Sequence, residues 1–142
     1  MLKPSLISVV VGIIINSKQE VLIAQRPQQV PQSGLWEFPG GKIESNELAY
    51  EALCRELDEE IGIKVLGAKL ITEYSHAYPH CSVTLSVWSM IEFLGKPFGK
   101  EGQRVRWISM KDLDHYQFLS ANHPIIEYLR QQAIHLDSAT RQ

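Results

Sequence analysis

The chain has 142 residues, 44% of them hydrophobic and 21% charged, with a formal net charge of -2. That is enough chain for a single domain with a real core, residues 1–142, and too little positive charge to form a footprint for duplex nucleic acid. No apolar run is long enough to cross a bilayer. The two cysteines, Cys54 and Cys81, lack metal-type spacing and read as free thiols of a reducing, cytoplasmic compartment.

Residues 6–15 resemble the core of a signal peptide, but no small-residue cleavage site follows, and their β-branched content predicts a buried strand. Asn16 to Gln19 form a turn, and residues 21–25 are the expected hairpin partner, ending at Arg26. Residues 27–34 carry two prolines and a glycine and form a surface loop. Residues 35–38 are extended, because Pro39 biases its predecessor away from helix, and Gly40-Gly41 allows a close backbone approach. A helix follows, capped by Ser45 or Asn46 and stopped by Gly62. Residues 64–74 and 82–93 are strands, with His76, Tyr78, His80 and Cys81 in the loop between them. Residues 95–102 are a loop carrying Glu101, residues 105–108 a strand, and Asn122 opens a last helix that runs to about Ala133. The ordered core spans about residues 6–132, and the polar tail from His135 is expected to fray.

Within the first helix, Leu48, Ala49, Ala52, Leu53, Leu57 and Ile61 recur at helical period and form an apolar stripe. Glu56, Glu59 and Glu60 project from a neighbouring face. Two such charges about 5 Å apart repel by about 3 kcal/mol at an effective dielectric near 20. A helix needing only solubility would intersperse lysine. This one gathers oxygen ligands suited to a hard divalent cation that shares phosphate oxygens with a substrate. Arg26 and Lys42 are the cations placed to contact a phosphate, and Arg55 is placed to orient Glu56. Each feature alone reads equally as ordinary surface: a solvated acidic face, two free cations, and a helix-surface pair between Arg55 and Glu51 or Glu59.

The spacing is more specific. Gly41, five residues, Glu47, seven residues, and then Arg55-Glu56-Leu57-Asp58-Glu59-Glu60-Ile61-Gly62-Ile63 resembles the Nudix box at every fixed position over 23 residues. Arg26, the run Glu37 to Lys42, the run Gly99 to Gln103, and Ala121-Asn122 before Pro124 extend the likeness to the MutT branch of the Nudix hydrolases. The resemblance implies an α+β fold, an α/β/α sandwich around a mixed sheet. It implies Mg²⁺-dependent hydrolysis of oxidised purine nucleoside triphosphates, such as 8-oxo-dGTP, to the monophosphate and pyrophosphate, with Mn²⁺ a substitute ion. The implied metal ligands are the Gly40 carbonyl, Glu56, Glu59, Glu60 and Glu101, with Glu56 or Glu101 taking the proton of the attacking water. Glu47 remains a helix-face residue that supports Arg55.

Phe38, Tyr78 and Asn122 are the implied base contacts. Asn122 sets one donor beside one acceptor, whereas guanine presents two acceptors, O6 and N7. Oxidation at C8 puts a hydrogen on N7, and the edges then match. A buried mismatch costs about 1–3 kcal/mol, a tenfold to hundredfold discrimination. Adenine's edge also suits an amide, so Asn122 does not exclude adenine, and the residue equally suits a helix N-cap. Cys81 stands where the pattern has an arginine that supports the base, which opens the substrate range. The alternatives are a Nudix hydrolase of ADP-ribose or an unmodified triphosphate, and a non-catalytic nucleotide-sensing module. The expected partner is a small nucleotide, with no nucleic acid, no membrane and a monomeric enzyme.

Overall fold

The structure, a computed structural model, describes residues 5–140, with side chains for 6–132. The strands are β1 (Ser5–Ile13), β2 (Glu20–Gln25), β3 (Trp36–Glu37), β4 (Gly40–Lys42), β5 (Lys64–Tyr78), β6 (Cys81–Leu94) and β7 (Val105–Ser109). The helices are α1 (Ala49–Ile61) and α2 (His123–Thr140), with 3-10 turns at Met110–His115 and Ser120–Asn122. The mixed α+β architecture is as the sequence implies. The strands form two sheets, ordered β4-β1-β6-β5 and β3-β2-β7, and only β1 and β6 run parallel.

Alternation along the strands divides the core between two layers. Val10, Ile14 and Leu22 point toward Ala52, Leu53, Leu57 and Ile61 of α1. Val11, Ile13, Val21 and Ile23 point the other way, toward Ile125, Ile126 and Leu129 of α2. Each sheet face is thereby covered by one helix, and α1 is held with its acidic face beside β4.

Several expectations need correction. β1 and β2 are not ladder partners: both edges of β1 are taken, by β4 and β6, and β2 meets the end of that segment only at the Ile15–Val21 bridge. Helix α1 starts after Leu48, not at Ser45 or Asn46. Asn46 turns the chain early, in the left-handed region at φ 65°, and Leu48 is left outside the apolar stripe at 71% exposure. The Glu51 carboxylate accepts the Leu48 N–H at 3.0 Å, so it is occupied at the helix start rather than paired with Arg55. Finally, β5 extends to Tyr78, putting His76 and Tyr78 on a strand, and α2 continues through the segment expected to fray. Gly62 ends α1 as expected, with its N–H on the Asp58 carbonyl.

Candidate active site

Arg55 is the centre from which the site is built. Its Nε and Nη2 donate to the two oxygens of Glu47 at 2.7 and 2.9 Å. Nη1 reaches Glu56 at 2.8 Å and Glu59 at 3.2 Å, and Nη2 also reaches the Lys42 carbonyl at 2.9 Å. One planar guanidinium thus ties the loop before α1, the strand β4 and two glutamates of the acidic face. The pairing holds the Glu47 carboxyl well below the usual carboxylate range, at about 2, chiefly through the hydrogen bonds from Arg55. Glu47, read from sequence as only a supporting residue, is the main anchor of Arg55.

The remaining carboxylates crowd where β4 passes α1. Glu60 is 8% exposed, and its Oε2 accepts the Gly40 N–H at 3.0 Å. Burial pushes its carboxyl up to about 8, against the pull of the Gly40 N–H, and the charges of Glu37, Glu101 and Glu56 push the same way. Burial also raises Glu56, with Arg55 opposing and the charges of Glu59 and Glu101 adding to the rise. Glu101, forty-one residues beyond Glu60 in sequence, is therefore brought into the field of the helix glutamates. Glu37, not singled out from sequence, joins them; its own carboxyl is raised by burial and held down by Arg26. Its signal was its place beside Phe38-Pro39-Gly40.

Gly41 has a physical role here. A Cβ at this position would lie 2.2 Å from the Glu56 carboxyl carbon. Gly41→Ala must displace a carboxylate that Arg55 pins from the other side. A shift of about 1 Å at such a group costs about a hundredfold in rate. We expect that loss in kcat with an unchanged circular dichroism spectrum; an unimpaired Gly41→Ala enzyme would show that Glu56 need not stay where it is.

Among the described residues, no three acidic, histidine or cysteine side chains already converge as ligands around one point. Arg55 and the Gly40 N–H hold Glu56, Glu59 and Glu60 in their present directions. The donor set nonetheless fits a hard divalent cation: hard oxygens, one of them buried, whose mutual repulsion a cation would relieve.

Arg26 bridges to Glu37 at 3.3 Å and donates from Nε to the Pro31 carbonyl at 3.0 Å, at the edge of the carboxylate group. The Lys42 side chain is exposed on β4 while its carbonyl is engaged by Arg55. Phe38 is 3% exposed and stacks on Phe118 at 5.3 Å, so its ring is part of the core. Asn122 is 5% exposed, and its Oδ1 accepts the Phe38 N–H at 3.0 Å. Asn122 closes the 3-10 turn before α2, and its side chain reaches across the fold to Phe38 rather than capping the helix. The Tyr78 hydroxyl accepts the Ala121 N–H at 3.2 Å, and the Tyr74 hydroxyl donates to the Ala121 carbonyl at 2.5 Å. With the His76–Ser120 bond at 3.1 Å, strand β5 grips the turn that carries Asn122. Cys81 is half-buried and pairs with Tyr78 in the β5–β6 ladder.

An α/β/α sandwich that sets an arginine-braced row of glutamates against a glycine pair defines a class, the Nudix-type hydrolases. The NUDIX domain model matches residues 10–128. The 8-oxo-dGTP diphosphatase of Escherichia coli is 37% identical over 87% of this chain and 96% of its own length. The CTP pyrophosphohydrolase of the same organism is 36% identical over 83% of this chain and 87% of its own length. A solved structure from a study of MutT of Aliivibrio salmonicida and Vibrio cholerae superposes with a TM-score of 0.79 at 37% identity, covering 90% of this chain and 99% of that one. The chain belongs to the Nudix family of hydrolases, whose members generally depend on a divalent metal ion.

Proposed function

We propose that the protein hydrolyses oxidised purine nucleoside triphosphates, 8-oxo-dGTP foremost, to the monophosphate and pyrophosphate, and so keeps mutagenic precursors out of DNA. The observation that carries the chemistry is the gathering of Glu56, Glu60 and Glu101, with Glu37 beside them, against the Gly40–Gly41 backbone, where burial and the neighbouring charges raise the carboxyls of Glu56 and Glu60. Mg²⁺, with Mn²⁺ as substitute, is the ion proposed; when bound it neutralises phosphate charge and lowers the pKa of a bound water. Glu56, Glu59, Glu60, the Gly40 carbonyl and Glu101 would hold it. Arg55 fixes Glu56 in place, and Glu56 or Glu101 accepts the proton of the water that attacks the β-phosphorus. Arg26 turns from Glu37 to the phosphates, and Lys42 contributes from the exposed side of β4.

Asn122 supports the choice of base. Its oxygen must face the Phe38 N–H, because an amide NH₂ cannot accept that donor, so the amide has one orientation. The second lone pair of Oδ1 can take the N7–H of an oxidised guanine while Nδ2 donates to O6. In the same pose adenine meets donor with donor and acceptor with acceptor. Phe38 and Tyr78 frame that position, Phe38 through its backbone and Tyr78 through its grip on Ala121. The two free thiols suit a cytoplasmic enzyme, and a monomer suffices for a small-molecule substrate.

A second reading has a specific observation behind it. Cys81 offers no counterpart to the expected arginine near the base, and one relative with 36% identity is a CTP pyrophosphohydrolase. Steady-state hydrolysis of 8-oxo-dGTP beside dGTP, dATP, CTP and ADP-ribose, with Mg²⁺, Mn²⁺ or chelator, separates the readings. We expect no turnover with chelator, and kcat/KM for 8-oxo-dGTP about a hundredfold above dGTP. Solvent oxygen should appear in pyrophosphate. Preference for CTP would move the substrate to pyrimidines while leaving the phosphate chemistry intact.

A further inference from the structure

Glu101 lies on an exposed loop between β6 and β7, far in sequence from the helix it must join. Loop residues of this kind lose conformational freedom only if something holds the backbone. The holding group is a single side-chain amide. Gln103 Oε1 accepts the N–H of Glu101 at 3.0 Å, and Gln103 Nε2 donates to the Glu60 carbonyl at 2.9 Å. One partner is a fixed donor and the other a fixed acceptor, so the amide cannot be flipped without losing both bonds.

Neighbouring contacts serve the same junction. The last turn of α1 leaves carbonyls without intrahelical partners. Phe98 N–H takes that of Ile61 at 3.1 Å and Lys100 N–H takes that of Glu60 at 3.1 Å, while Lys100 Nζ adds a second bond, at 3.2 Å, to the Asp58 carbonyl that already holds the Gly62 N–H. A Cβ on Gly99 would meet the Gln103 carbonyl oxygen at 1.8 Å, so only glycine lets the loop fold back this tightly. The end of the helix bearing Glu56, Glu59 and Glu60 is thus capped by the loop bearing Glu101.

We propose that Gln103 is a positioning residue: by joining the Glu101 amide to the Glu60 carbonyl, it sets the place from which Glu101 meets the helix glutamates, and through that the affinity for the divalent ion and the rate of hydrolysis. The part concerning rate rests on the role given to Glu101 above.

The test compares Gln103→Leu, which keeps the volume and loses both bonds, with Gln103→Glu, which keeps the acceptor for Glu101 and loses the donor to Glu60. In the metal-free protein, amide exchange at Glu101 should speed up about tenfold in Gln103→Leu, the size of one lost hydrogen bond, and less in Gln103→Glu. Mn²⁺ titration of the nucleotide-free protein should weaken about tenfold in Gln103→Leu. Its kcat at saturating metal should fall by about ten- to a hundredfold with little change in nucleotide KM. A folded Gln103→Leu protein with wild-type exchange at Glu101 and wild-type Mn²⁺ affinity overturns the proposal. Should Gln103→Leu not fold, the same two measurements on Gln103→Glu decide, since it too loses the Glu60 bond. Undiminished turnover by Glu101→Gln would instead overturn the role assigned to Glu101, a result the exchange measurement does not depend on.

Discussion

Glu60→Gln should abolish hydrolysis and at the same time make the metal-free protein harder to unfold. Glu60 is buried beside three other carboxylates, with one backbone N–H as compensation, and its carboxyl is pushed up to about 8 from an ordinary value of 4.5. A group whose pKa is higher folded than unfolded contributes stability that is complete below the unfolded value and is lost as pH rises through the folded one. The metal-free enzyme should therefore lose stability between about pH 4.5 and pH 8. Glutamine keeps an oxygen for the Gly40 N–H and carries no charge, so the variant escapes that loss. Above pH 8 the difference is on the order of 2–4 kcal/mol, or a thermal midpoint higher by about 5 °C or more. Divalent metal should offset most of that gap, since an ion at a hundred times its Kd stabilises the native protein by about 2.7 kcal/mol and the variant lacks one of the proposed ligands. Thermal melts at pH 5 and pH 8.5, with chelator and with Mg²⁺, check all four corners. A Glu60→Gln protein that melts below wild type at pH 8.5 in chelator would sink the account of the buried charge.

Asn122 should show two separable losses. Asn122→Ala strands the buried Phe38 N–H without its acceptor and should cost about 1–3 kcal/mol of folding stability. It should also remove the tenfold to hundredfold preference for 8-oxo-dGTP over dGTP that a matched hydrogen-bonding edge provides. Asn122→Asp keeps an oxygen for Phe38 and loses the Nδ2 donor to O6. That variant keeps the Phe38 bond, so its loss of stability comes from the new buried carboxylate and should grow as pH rises, while the preference is lost as in Asn122→Ala. Urea denaturation together with kcat/KM for 8-oxo-dGTP, dGTP and CTP on both variants gives the answer. If the substrate ratios stay at wild-type values in Asn122→Ala, Asn122 is a structural strut and the base is read elsewhere.

Much of this site was legible in one dimension because its parts are local. From Gly41 to Ile63, side chains three, four and eight residues apart meet on a loop and a single helix, so spacing alone aligns Glu47 with Arg55 and Arg55 with Glu59. The apolar stripe of α1 and its stop at Gly62 follow from the same helical period and the glycine's left-handed backbone. The start of α1 was not legible, because Ser45 and Asn46 both suit a cap and the choice was made by a left-handed turn at Asn46. Nor was Glu51's role, since a carboxylate four residues from Arg55 can pair with it or cap the helix start, and here it caps.

The sequence by itself determined the class of fold, the Nudix family membership, the acidic helix face and the arginine that braces it. Tertiary structure alone decided that β1 and β2 belong to different sheets, that Glu37 shares a field with Glu60, and that Gln103 joins Glu101 to the helix. It also turned Tyr78 toward Ala121 and Asn122 toward Phe38. The physical reason is one of range. Helical period and turn chemistry act over a few residues and leave a pattern in the chain. A hydrogen bond between residues more than eighty positions apart, such as Asn122 to Phe38, exists only once both faces of the sheets are packed, and no local rule encodes its partner.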